Sequence, residues 1–404
     1  MTPMYPNIPK VDVLHRPLDK GNLVQYWGFF SADELARNQH ALLMMDIDLG
    51  RKCSLRCPSC FRKSNPVDDY NYPDLKYEQI MAVLEEAKTL GLREIKICGA
   101  GEPLEDSRLL PFARDLTAMG LGLSIFTKGH VLGDDNHVTS IYGKYGIDNA
   151  VSLCEEFFRF KTSFLVGFQS AHPEIQDKLV GDVKGYTLKR NRALEILADI
   201  GFNKTSPTRL AICANPIMSM NYGELFNIYV YARRRNILPV NAALMVSGKQ
   251  IDTHFLAAND VSAEEKELFF IRVYRYNLEH GIQSKGQMLT EGISCLVGIH
   301  PCNQIAAGVY LTCNGTVIRC PGDSGNPLGN IHEQTITEIW EANKQWRFAG
   351  MFNCHCPFKD GVTLPEGIYS RVLDRVLNDQ TALLQLGRRE CHGNQEDCVS
   401  FDSN

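Results

Sequence analysis

Residues 42 to 60 read Leu42-Leu43-Met44-Met45-Asp46-Ile47-Asp48-Leu49-Gly50-Arg51-Lys52-Cys53-Ser54-Leu55-Arg56-Cys57-Pro58-Ser59-Cys60. The stretch from Leu42 to Ile47 is short and mostly apolar, which suits a buried strand. The loop after it carries three cysteines at a C-x3-C-x2-C spacing, tight enough to turn three thiolates towards one centre. Three thiolates suit an iron–sulfur cluster or zinc. A structural zinc site normally takes four ligands, and no fourth Cys or His lies nearby. A four-iron cluster on three cysteines leaves one iron open to a ligand.

Outward from this strand the chain alternates. The spacing of Ile80, Val83, Leu84, Ala87 and Leu90 predicts a helix over 77–90, stopped by Gly91. Strands are predicted at 94–98, 121–127, 163–168, 209–214 and 240–246. Between them helices are predicted at 110–119, 138–158 (interrupted at Gly143 and Gly146), 188–200 and 223–235. Strands that are apolar throughout, each followed by a helix, predict a parallel sheet with crossover helices. Six such units give an α/β fold, a partial (βα)6 TIM-like barrel, whose chemistry belongs on the loops at the carboxyl ends of the strands. Residues 1–40 are irregular and read as a lead-in, 41–285 as the barrel, and 286–404 as a small cysteine-rich α+β extension.

The second strand runs into Cys98-Gly99-Ala100-Gly101-Glu102-Pro103. Gly99 and Gly101 permit close approach of a ligand, and Glu102 offers a carboxylate to an ammonium. Together, the cysteine loop and this turn on the next strand resemble the signature of the radical S-adenosylmethionine (SAM) superfamily, whose turn reads GGEP. The resemblance implies a [4Fe–4S] cluster on Cys53, Cys57 and Cys60, with SAM chelated to the open iron and its amino group at Glu102. It also implies reductive cleavage of SAM to a 5′-deoxyadenosyl radical that abstracts hydrogen from a substrate. The family's aromatic residue before the third cysteine is Ser59 here, and Phe61 follows instead. Phe126-Thr127-Lys128-Gly129 is similar to the family's T-N-G turn, with lysine for asparagine. Ser170 matches a serine that meets the SAM ribose, and Asn215 ends the fifth strand within reach of SAM or substrate. Arg190 and Arg192 are placed on a solvated helix face, and His130 and His172 in loops.

Eight cysteines follow residue 290. Asn314-Gly315 between strand-like flanks predicts a hairpin, and 336–348 a helix. This region resembles the SPASM or shorter twitch extension, which implies an auxiliary [4Fe–4S] cluster. Its candidate ligands are Cys302, Cys320, Cys354 and Cys356, with Cys391 and Cys398 as possible contributors and zinc as the alternative metal. The longer cysteine run of a full SPASM domain is absent, which favours one auxiliary cluster. Cys98, Cys154 and Cys213 read as buried, inert thiols.

The composition is that of a globular protein, 44% hydrophobic and 22% charged, with a net charge of −5. That balance argues against nucleic acid and anionic membranes as partners. No signal peptide or membrane span is evident, so a cytoplasmic location is expected, where 14 cysteines point to metal rather than disulfides. The expected partners are a small-molecule substrate of sugar, aminocyclitol or nucleoside type and an electron donor such as flavodoxin or ferredoxin. A peptide-modifying maturase is the alternative, and a non-catalytic iron–sulfur or zinc protein a distant one.

Overall fold

The computed structural model describes residues 2–11, 28–299, 301–343 and 356–378. Nine strands form one sheet among these residues. They are β1 (Met44–Ile47), β2 (Glu94–Ile97), β3 (Gly122–Thr127), β4 (Ser163–Gly167), β5 (Leu210–Cys213), β6 (Leu238–Val240), β7 (Gly308–Leu311), β8 (Thr316–Ile318) and β9 (Gly329–Asn330). Their order is β6-β5-β4-β3-β2-β1-β7-β8-β9. The first six run parallel in sequence order, as βα units require. The sheet is not closed, and the fold is the α/β partial barrel expected.

The strands are buried on both faces, because crossover helices cover the outside and the cavity wall lines the inside. The helix over 77–89 buries Ile80, Val83, Leu84 and Ala87, the positions that its spacing marked. The interrupted helix is two helices, Asp135–Tyr142 and Ala150–Arg159, each started by a side-chain cap, Asp134 and Asn149. Gly146 breaks the run at φ 79°. β6 lies earlier than expected, at 238–240 rather than 240–246. Beyond Val240 the chain leaves the sheet, and Ala243 and Met245 become cavity wall.

Two features depart from the sequence reading. The lead-in contains a helix, Ala32–Arg37, begun by a capping box of Ser31 and Glu34. The hairpin β7–β8 extends the barrel sheet itself. β7 pairs in parallel with β1, Met45 opposite Val309 and Ile47 opposite Leu311. The carboxyl-terminal cysteines are thereby anchored beside the strand that launches the first cysteine loop. No helix among the described residues is long and apolar enough to cross a membrane.

Candidate active site

The cysteine loop is closed at its base by a buried ion pair. Asp48 follows β1, and Arg62 lies beyond the third cysteine, with its Nη2 2.6 Å from the Asp48 carboxylate. Tyr310 on β7 donates to the other Asp48 oxygen at 2.5 Å. All three side chains are buried. The loop is then held on two sides. On one, the Glu102 N–H donates to the Lys52 carbonyl at 2.8 Å. A Cβ at Gly101 would lie 2.2 Å from that same oxygen, so only glycine permits this approach. Ser54 donates through its N–H (3.0 Å) and its hydroxyl (2.5 Å) to Glu105, which also meets His130 Nε2 at 3.2 Å. Burial would raise the Glu105 pKa, but the hydrogen bonds from His130 and Ser54 outweigh it and bring it down to about 2. On the other side, Lys249 N–H donates to the Cys60 carbonyl at 3.0 Å and Gln250 Nε2 to the Ser59 carbonyl at 2.7 Å.

Glu102 is buried, and its carboxylate is fixed in place. Oε1 accepts from the Thr127 hydroxyl at 2.5 Å and Leu104 N–H at 3.3 Å, and Oε2 from the Lys128 N–H at 2.8 Å. An ionised carboxylate has roughly four acceptor positions, so one stays open to a ligand ammonium. The Lys128 stem crosses Gly167, where a Cβ would meet its Nζ at 3.3 Å, and its ammonium lies 5.7 Å from the Phe126 ring centroid. Burial raises the Cys57 thiol pKa, and the Lys128 charge opposes that rise.

These groups share one cavity of about 560 Å³. It is lined by Cys53, Cys57, Cys60, Gly99, Gly101 and Glu102, and also by Cys295, Cys302, Cys320 and Cys356. Lys128, Gln169, Asn215, Cys98, Cys213 and Lys96 lie on its walls. Among the described residues, no three Cys, His, Asp or Glu side chains converge on a point that a single ion would occupy. The thiols line the cavity, and a soft, all-thiol donor set of this kind suits iron–sulfur clusters.

Several side chains differ from the sequence reading. Ser170 is buried away from the cavity, its hydroxyl donating to Glu224 at 2.5 Å, and Gln169 takes the wall position at this strand end. Asn215 is on the wall, and its Oδ1 has no hydrogen-bond partner. Arg190 is fully buried rather than on a solvated face: it stacks 3.7 Å from the Phe168 ring centroid and donates to Gln176 Oε1 at 3.0 Å. Arg192 pairs with Asp135 at 2.6 Å. His130 is a buried anchor, and His172 caps the helix Pro173–Leu179. Cys98 and Cys213 face the cavity, while Cys154 is buried in a helix. Cys354, Cys391 and Cys398 lie outside the described residues.

Sequence reasoning missed two elements. Cys295 hydrogen-bonds to Cys356, and the bond holds the Cys356 thiol below its ordinary range and Cys295 above it. Its C-x6-C spacing to Cys302 was the available signal. Lys96 and Asp46, directly opposite in the β1–β2 register, form a buried pair at 2.9 Å. Lys96 also donates to Gln304 Oε1 at 3.0 Å. A charge in the middle of each of two neighbouring strands, Asp46 and Lys96, was the sign.

Residues 47–213 match the profile of the Radical SAM superfamily, and residues 302–357 match SPASM, described as an iron–sulfur cluster-binding domain. The chain belongs to the radical SAM superfamily and carries a SPASM domain at its carboxyl-terminal side. It is accordingly an enzyme that uses SAM and a [4Fe–4S] cluster, with auxiliary iron–sulfur binding implied by the SPASM domain. No curated protein sequence matches it. Among solved structures it is similar to Streptococcus suis SuiB bound to the precursor peptide SuiA, with a TM-score of 0.53 and 13% identity over 76% of this chain and 67% of that one. It is also similar to anSMEcpe with bound AdoMet, with a TM-score of 0.53 and 14% identity over 83% of this chain and 96% of that one. The complex of anSMEcpe with AdoMet and the Kp18Cys peptide gives 0.52 and 14% over the same shares. These likenesses show a shared fold.

Proposed function

We propose that this enzyme abstracts a hydrogen atom from a small-molecule substrate held between two iron–sulfur centres in one cavity. The observation that carries the reading is that one cavity is lined by the Cys53 loop, by Glu102 and by the carboxyl-terminal thiols. In this reading Cys53, Cys57 and Cys60 ligate the SAM-binding cluster, on the barrel unit 41–285. Cys295, Cys302, Cys320 and Cys356 ligate one auxiliary cluster in the unit 286–404. Cys354 is the alternative to Cys356, and Cys295 joins the earlier set on the strength of its bond to Cys356. The reduced cluster, when bound, supplies the electron that cleaves SAM to methionine and the 5′-deoxyadenosyl radical.

The chain's own residues orient the reactants. The open acceptor position of Glu102 takes the SAM ammonium, with Gly99 and Gly101 giving the backbone room. Lys128, adjacent to Glu102 in space, pairs with the SAM carboxylate. Arg190 and Arg192 do not take that role, because their partners lie elsewhere. Asn215 offers its unpartnered oxygen to SAM or substrate, and Ser170 acts only by fixing Glu224. Burial holds the Cys98 and Cys213 thiols protonated on the wall. The enclosed wall keeps water from the radical. The first substrate reading is a sugar, aminocyclitol or nucleoside. A peptide side chain is the second reading, favoured by the peptides bound in the SuiB and anSMEcpe structures.

The test uses anaerobically reconstituted protein beside the Cys53→Ala/Cys57→Ala/Cys60→Ala variant. About eight irons in wild type, about four in the variant, and 5′-deoxyadenosine only from wild type are expected. Deoxyadenosine formed equally by both would overturn the assignment. Low-molecular-weight and peptide fractions, added separately, tell the two substrate readings apart by which one accelerates deoxyadenosine release.

A further inference from the structure

Two buried lysines line the cavity, and their partners differ. Lys96 pairs with Asp46 at 2.9 Å and donates to Gln304 at 3.0 Å. Lys359 is only 4% exposed, and its ammonium donates to the Ala243 carbonyl at 3.1 Å. Among the described residues no carboxylate pairs with Lys359. Its chain neighbour Asp360 accepts from the Tyr369 hydroxyl at 2.8 Å, and Arg319, next to Cys320, is paired with Asp323. A lysine ammonium has three donors, so one carbonyl leaves most of its demand unmet, and a cation this buried calls for an anion. The turn that carries Lys359 also carries Cys356, and the Lys359 N–H donates to the Cys356 carbonyl at 3.1 Å. A Cβ added to Gly322 would lie 3.3 Å from Phe358 Cβ and 3.5 Å from Cys320 Sγ, so the same turn is seated against the Cys320 segment. After the Cys295–Cys356 bond and burial, the Lys359 charge is felt at both of those thiols and favours their thiolate forms.

We infer that Lys359 is the fixed counter-charge of a four-thiolate iron–sulfur centre on Cys295, Cys302, Cys320 and Cys356, and that it raises the reduction potential of that centre. The inference rests on the proposed auxiliary cluster. One-electron reduction adds one negative charge to such a centre and no proton. A fixed cation in a buried wall therefore stabilises the reduced form more than the oxidised form. The Asp46 charge offsets Lys96 in this respect, whereas no paired carboxylate among the described residues offsets Lys359. An anionic group on a substrate is the weaker counter-ion. Lys359 shares its turn with Cys356, so it stands beside the thiols whether or not a substrate is bound.

The experiment is a potentiometric titration of the anaerobically reconstituted full chain, read by the paramagnetic resonance of each reduced cluster. The auxiliary signal is the one that survives in the Cys53→Ala/Cys57→Ala/Cys60→Ala variant. In Lys359→Met its one-electron reduction constant should fall about tenfold or more, a midpoint lower by about 59 mV or more. The signal of the Cys53 loop should keep its midpoint, and Lys359→Arg should restore the auxiliary one. Lys96→Met/Asp46→Asn removes a pair with no net charge and should shift the auxiliary midpoint far less. An unmoved auxiliary midpoint, an equal shift in both signals, or an equal shift from the neutral pair overturns the inference. If Lys359→Met retains only about four irons, Lys359→Gln, which keeps an N–H for Ala243, is titrated in its place. Loss of the iron in both variants makes Lys359 a requirement of assembly alone and also overturns it. Absence of any auxiliary signal from wild type overturns instead the cluster reading on which the inference stands.

Discussion

The two cysteine centres that line the cavity are built in opposite ways. The Cys53 loop draws its three thiols from eight consecutive positions, is exposed at Cys53, and is braced mainly through backbone bonds. The far centre draws Cys295, Cys302, Cys320 and Cys356 from separate segments, and only the tertiary fold gathers them. Burial drives Cys302 and Cys320 above the ordinary thiol range, as it does Cys53 and Cys57; the difference in exposure is that Cys53 is exposed and Cys295 buried. A centre carried on one contiguous loop suits SAM binding, while a centre gathered from several segments by the fold suits a fixed auxiliary role.

The contrast is broken most severely by removing one centre at a time. Cys302→Ala/Cys320→Ala should lose about four irons and still make deoxyadenosine with a strong reductant, whereas loss of the Cys53 set abolishes it. Iron and deoxyadenosine counts on both variants check this. Next in size is the loop base. Arg62→Met leaves Asp48 charged and buried, and should cost about 3–5 kcal/mol of stability in urea unfolding. Part of that should return in Arg62→Met/Asp48→Asn. Glu102→Gln should leave the fold intact and weaken SAM by about 1.5–3 kcal/mol, read by equilibrium binding.

The smallest effect is pH-dependent. Glu105 is held at about 2 in the folded chain against its ordinary 4.5. Its contribution is therefore complete above the ordinary value and is lost as pH falls towards 2. Glu105→Gln should flatten the acid-side slope of the urea midpoint in that window, and an unchanged slope would remove Glu105 from the loop's anchors.

The barrel was legible because its signals are local. Apolar strands and helical spacing sit within single elements, and the C-x3-C-x2-C loop and the Gly-Ala-Gly-Glu turn are contiguous. What the sequence hid depends on long-range contact. Cys295 is chosen by its approach to Cys356, 61 positions on. Ser170 matches a ribose-binding serine by position, yet Glu224, from a later segment, turns its hydroxyl away. Arg190 carries a charge that suggested solvent, but Phe168 and Gln176 give it a buried seat. β6 ends early because the chain is needed as cavity wall from Ala243 onward.

The most direct test of a cavity shared by two unlike centres is electron paramagnetic resonance of the reduced wild-type protein, with and without SAM. Two cluster signals are expected, of which SAM shifts only one, the one missing from the Cys53→Ala/Cys57→Ala/Cys60→Ala variant. A single signal, signals that SAM leaves unmoved, or zinc in place of iron would contradict the account.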